Sequence, residues 1–226
     1  MDRNFKIRTI VSIGLFIVTV VSLYTFNSIP FKILYSLFSL VAMLELFSFF
    51  TKKTTTLNMT LALFELGFLI GGIIFAVKSD LHDYWYIILG VCGYDVFAYI
   101  FGKIFGGKVF KKSRPFPHIS KTKTWEGTIL GVLMSILLVL IYMMATADTS
   151  YYFVLCGPLA VLGDLFESLL KRKFKIKDSN EILIKHKILH GIEYLVGGSN
   201  GHGGFLDRID SIALASTILI LLNYIF

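Results

Sequence analysis

The sequence is short of almost everything that gives a water-soluble domain its polar exterior. Only 16% of its 226 residues are charged, against about a quarter in an average soluble domain. With 55% hydrophobic residues and a mean hydropathy of +0.73, that deficit excludes a soluble globule, so lipid must be part of the solvent. Cysteine is nearly absent. Cys92 and Cys156 are too few and too far apart for a disulfide framework or a zinc-ligand spacing, and both are expected as small buried residues. Proline is scarce, and no Pro/Ser linker, low-complexity tract or internal repeat divides the chain. A single integral membrane domain over 1–226 follows, with N-terminal spans in 1–83 and the functional spans and loops in 84–226. The first apolar run is longer than a typical signal core, has no small-residue cleavage site behind it and runs into "NSIPFK", so it is expected to be a retained helix.

Long apolar runs are what the chain has instead. A membrane-crossing helix takes about 20 mostly apolar residues, and the sequence supplies candidates at 8–26, 31–50, 57–77, 84–101, 125–145, 151–170 and 208–226. The expected fold is all-α, a polytopic transmembrane bundle of seven spans. With the N-terminus cytoplasmic, all of the 22 Lys and Arg except Lys32 and Lys78 fall on the inner side, the bias that orients membrane proteins. The net charge of +7 is then explained by orientation and by attraction to anionic groups, and nucleic acid is not needed as a partner.

Two inner segments are long where the other loops are short: "GKIFGGKVFKKSRPFPHISKTKTWEG" and "KRKFKIKDSNEILIKHK…SNGHGGFLDRIDS". Span six ends "GDLFESLLKRKFKIKD", where Asp164, Glu167, Ser168 and Lys171 recur at helical spacing and share one face. An ionised group at that depth needs a partner and usually marks a site. Asp207 and Asp210, three apart, open span seven. One carboxylate at a helix N-terminus is explained by the dipole, but a second pair on the neighbouring helix is not. Oxygen ligands from two helices suit Mg²⁺, which keeps waters and accepts substrate phosphates. Gly201, Gly203 and Gly204 allow close approach of backbone N–H groups to an anion. Lys171, Arg172, Lys173, Lys175 and Lys177 supply countercharge. The reading is a phosphate-handling membrane enzyme with its site at the cytoplasmic lip.

These same residues resemble the signature of the phosphatidate cytidylyltransferases: Ser168, Lys171 and Arg172 in "SLLKR", Lys177 and Asp178 in "KD", His202, Gly203 and Gly204 in "HGG", and Asp207, Arg208 and Asp210 in "DRID". Upstream, "GYDVFAYIFGKIFGGKVF" and "HISKTKTWEG" are similar to two further motifs of that family, adding Asp95, Lys123 and Glu126. The resemblance covers residues 90–211. It implies the reaction CTP plus phosphatidate giving CDP-diacylglycerol and diphosphate, dependent on Mg²⁺ and aided by a monovalent cation such as K⁺. It also implies a homodimer in a bacterial inner membrane, with Asp164 and Asp207 as metal ligands. His202 is expected to donate to phosphate.

One feature departs from the family pattern: "NEILIKHKILHGIEYLVGGS" lengthens the connection between the Lys-Asp and His-Gly-Gly motifs. Its apolar spacing predicts an amphipathic helix around 181–198, either a tolerated insertion or a lid, with His186 and His190 solvated. Other polar residues carry blander expectations. Glu45 and Glu65 are read as inter-helix hydrogen-bonding groups and Trp125 as an interfacial anchor. Two other functions stay open: cytidylyl transfer to a different lipid phosphate, such as an isoprenoid ether lipid, and an ion-coupled transporter using Asp95, Asp164 and Glu167 as a relay.

Overall fold

A computed structural model describes residue 21 and residues 29–50, 55–111, 114–120, 123–176 and 206–225. The described residues are all helical or loop. Their helices are α1 (Ile29–Phe49), α2 (Thr56–Lys78), α3 (Leu81–Ile87), α4 (Gly93–Phe105), α5 (Trp125–Thr146), α6 (Cys156–Phe174) and α7 (Leu206–Ile225). Six stretches are long and apolar enough to cross a membrane, α3 and α4 together making one of them. The protein is a multi-pass membrane protein. Six of the expected spans are thus present. The first, 8–26, lies outside the described residues except for Val21.

Local chemistry sets the helix ends. Asp80 begins α3 with a capping box: its side chain accepts from the Asp83 backbone N–H, while the Asp83 side chain accepts from the Asp80 N–H. Thr124 caps α5, its Oγ1 accepting from Gly127 N at 3.1 Å. Helix α6 stops where Lys175 turns left-handed, φ 54°, and the Ile176 N–H returns to Lys171 O at 3.0 Å.

The span expected as one helix over 84–101 is interrupted by a π-helical turn, Ile88–Cys92. Such turns insert a residue and rotate everything that follows. Here Ser135 of α5 donates to the Gly90 carbonyl at 2.6 Å, so a hydroxyl from the neighbouring helix meets an acceptor within the turn. The rotation sets the direction in which Tyr94 and Asp95 leave α4. Span six begins where expected, with a 3₁₀ turn at Tyr151–Leu155, and continues through α6 to Phe174, past the expected end at 170.

Small residues bring the helices of the site close together. A Cβ on Gly127 of α5 would lie 2.6 Å from Ala98 O and 2.9 Å from Gly102 Cα of α4. One on Gly163 of α6 would lie 2.6 Å from Ser211 Cα of α7. Both contacts are backbone against backbone, which only glycine permits. Polar side chains add cross-links between helices, Ser211 Oγ to Ala160 O at 3.1 Å and Thr217 Oγ1 to Phe68 O at 2.8 Å. Cys156 is buried and Cys92 half-buried, both as free thiols.

Candidate active site

The polar groups gather at the end of the bundle where α4 and α6 finish and α5 and α7 begin. A cavity of ≈ 390 Å³ opens there between α4, α5 and α6, with Asp95, Lys103, Lys123, Thr124 and Asp164 on its wall. Asp95 and Asp164 lie near enough for their charges to repel. Lys123, from the loop before α5, answers that repulsion, with Nζ 2.5 Å from Asp164 Oδ2. The contact is a close charge pair, not an aligned hydrogen bond. Burial disfavours the charged amine, but the Asp164 carboxylate and Tyr94 hydroxyl outweigh it and hold Lys123 above the ordinary lysine range. Lys123 is therefore a fixed cation in the cavity wall. Ser168 Oγ reaches Asp164 Oδ1 at 3.4 Å, a long contact.

A second ion-paired group lies between α6 and α7. Lys171 Nζ sits 2.7 Å from Glu167 Oε2 and 3.1 Å from Asp207 Oδ1. The Glu167 and Asp207 side chains are only 2% and 13% exposed. The one-face stripe expected on α6 thus divides. Asp164 turns to the cavity, with Ser168 one turn on against it, while Glu167 and Lys171 turn to α7. Asp210, next along α7, is buried and feels the charges of Asp164 and Asp95. The two carboxylates expected to share a metal, Asp164 and Asp207, are held here by different lysines.

Glu126 and Arg172 serve loop geometry in this structure. Glu126 Oε1 accepts from the backbone N–H groups of Gly107, Val109 and Phe110 at 3.0, 3.0 and 3.1 Å. A buried carboxylate thereby fastens the 106–110 turn to the start of α5. Arg172, at the exposed end of α6, donates from Nε to Ile119 O at 3.4 Å and ties down the 114–120 loop. Arg208 is exposed on the first turn of α7. Trp125 packs against Phe110, ring centroids 6.0 Å apart. Lys177, Asp178, Gly201, His202, Gly203, Gly204 and the 181–198 segment with His186 and His190 lie outside the described residues.

Sequence reasoning missed three contributors. Lys103 and Tyr99 line the cavity with Asp95 and Gly102. The i, i+4, i+7, i+8 spacing of 95, 99, 102 and 103 was the signal available for them. Glu45, expected only to bond between helices, does so at a telling place: its Oε2 accepts from the Leu206 N–H at 2.9 Å. A carboxylate from α1 thus caps the N-terminus of α7, one residue before Asp207. Glu65 is buried on α2, and its Oε1 has no hydrogen-bond partner among the described residues.

Among the described residues, no group of three or more His, Cys, Asp or Glu is placed to hold a metal by itself. The donor set is nonetheless all oxygen. Two carboxylates facing a polar cavity fit a cation that takes one or two protein ligands and completes its shell with water and phosphate.

The cytidylyltransferase family profile matches residues 59–186, more than half of the chain. The chain belongs to the cytidylyltransferase family. The match runs from α2 through the whole of α6, so Asp95, Lys123, Glu126, Asp164, Glu167, Lys171 and Arg172 all stand within it. Among curated relatives of this cytidylyltransferase-family protein, the phosphatidate cytidylyltransferase of Rickettsia conorii is 36% identical over 154 residues, covering 62% of this chain and 58% of the relative. That of Rickettsia bellii is 34% identical over 169 residues, 68% of this chain and 64% of the relative. That of Helicobacter pylori is 36% identical over 128 residues, 54% and 42%. The chain matches less than two thirds of the length of each of these relatives.

Proposed function

We propose that the protein transfers the cytidylyl group of CTP to the phosphate of phosphatidate, giving CDP-diacylglycerol and diphosphate for phospholipid synthesis. The observation that carries this reading is the cavity at the end of a membrane bundle, where Asp95, Asp164 and Lys123 converge from three segments of the family match. The names of the curated relatives support it.

In this reaction an oxygen of the lipid phosphomonoester attacks the α-phosphorus of CTP. The bond from that phosphorus to the bridging oxygen of the diphosphate breaks, and diphosphate leaves with the electron pair. A phosphomonoester is already ionised near neutral pH, so no general base is required. The difficulty is bringing two polyanions together, and fixed cations answer it. Lys123 stays charged in the cavity wall and opposes the nucleotide phosphates. Lys171 positions Asp207, and Glu45 positions the start of the helix that carries it. Glu126 holds the 106–110 turn. Mg²⁺ would be held by Asp164 and Asp95, the two carboxylates on the cavity wall, and would neutralise charge on the transferring phosphoryl group.

The bundle end with the site faces the cytoplasm in this account, so that water-borne CTP meets a lipid headgroup at the membrane surface. The test is incubation of purified protein with labelled CTP and phosphatidate, with Lys123→Met alongside. The proposal expects labelled CDP-diacylglycerol from wild type and a loss of about a hundredfold or more in the variant. A folded wild type that yields none would overturn it.

A further inference from the structure

The cations of the site are not equivalent. Lys123 is paired with Asp164, and Lys171 is shared by Glu167 and Asp207. Lys103 also lines the cavity, yet among the described residues it has no carboxylate partner and only a distant contact, 6.0 Å, with the Tyr99 ring. It is the cavity lysine whose charge no described side chain cancels.

Its position is equally specific. Lys103 stands in the last turn of α4, eight residues beyond Asp95, so its Cα lies about 12 Å nearer the membrane surface along the helix axis. Its neighbours Ile100, Ile104 and Phe105 are 39%, 49% and 40% exposed. In a membrane-spanning helix, that apolar exposure is the surface turned to lipid. A lysine at the end of such a surface holds its amine at the headgroup level. Lys103 therefore borders both the lipid and the cavity.

We infer that Lys103 is the residue that binds the phosphomonoester of the lipid substrate, setting the headgroup at the cavity rim while the nucleotide phosphates lie deeper, by Lys123 and Asp164. This rests on the cytidylyltransferase reading and adds a lipid-side contact to it. The headgroup chemistry selected is a terminal phosphate carrying close to two negative charges, as against the singly charged diester of other phospholipids.

The test compares wild type, Lys103→Gln and Lys103→Arg in mixed micelles, varying phosphatidate and CTP separately. Lys103→Gln should raise KM for phosphatidate about tenfold or more, the loss expected for one charge-assisted contact. KM for CTP should stay within about twofold, and Lys103→Arg should recover most of the loss. A rise in KM for CTP with phosphatidate unaffected would overturn the inference, as would no change in either. A second measurement needs no turnover: retention of short-chain phosphatidate by solubilised protein without CTP, against phosphatidylcholine of the same chains. Wild type should retain phosphatidate selectively and Lys103→Gln should lose that selectivity; equal retention by both proteins refutes the assignment. If wild type binds phosphatidate in this way but forms no CDP-diacylglycerol, the reaction is wrong and the lipid site stands.

Discussion

Replacing Lys171 by methionine should be the most destabilising single change among the polar groups of the site. The substitution keeps the length of the side chain and removes its charge. Contacts at 2.7 and 3.1 Å correspond to gross attractions of about 6 and 5 kcal/mol at an effective dielectric of about 20. Much of that is offset by the desolvation of three ions, so removing the central cation should cost about 3–5 kcal/mol, the range for breaking a buried pair. The penalty arises because Glu167, with 2% of its side chain exposed, would keep a charge that water cannot reach. Adding Glu167→Gln should relieve it, and the double variant should recover about 1–2 kcal/mol relative to Lys171→Met alone. Equilibrium unfolding in mixed SDS micelles measures all three. A Lys171→Met loss below about 1 kcal/mol, within the range of exposed ion pairs, would show that Lys171 does not hold the two carboxylates together. So would a double variant less stable than either single one.

Other consequences can be measured independently. Glu126→Ala leaves three backbone N–H groups of the 106–110 turn without their shared acceptor; amide hydrogen exchange should rise at Gly107, Val109 and Phe110. Gly127→Ala places a methyl against the backbone of α4 and should destabilise by about 1–3 kcal/mol, whereas Gly67→Ala, with nothing within 4 Å of the new carbon, should be neutral or slightly stabilising in the same SDS unfolding assay. At the opposite end of the bundle, burial works against the charge on Asp148, but hydrogen bonds from Ser150 and Tyr86 outweigh it and hold its carboxyl below the ordinary 3.8. A depressed folded value means that its stabilisation is complete above 3.8 and is lost as the pH falls through the lower folded value. Asp148→Asn should therefore be less stable than wild type by up to about 1 kcal/mol at pH 7, and the difference should shrink below about pH 4 in a pH series of melting temperatures.

The spans were legible because lipid imposes a length and a composition that no packing detail can disguise, and six of them are seen. The polar stripe on α6 was legible too, since 164, 167, 168 and 171 obey helical spacing. Which way each member turns was not. That depends on Gly163 drawing α7 close enough for Lys171 to reach Asp207, and on a lysine from a different loop reaching Asp164. The π turn at Ile88–Cys92 had no readable signal, because it depends on a hydroxyl on α5, 45 residues away. Glu45 was read as a bland inter-helix group for the same reason: its significance lies in meeting Leu206, 161 residues on. Glu126 and Arg172 were placed at the site by motif, and the structure shows which loops they hold.

Whether this cavity joins a nucleotide to a lipid phosphate is decided by measuring diphosphate release and CDP-diacylglycerol formation together, from CTP and phosphatidate with Mg²⁺, for wild type and Asp164→Asn. Wild type should release one diphosphate per CDP-diacylglycerol, and the folded variant should give neither product above background. Diphosphate released without lipid product, or an Asp164→Asn protein as active as wild type, would contradict the proposed transfer.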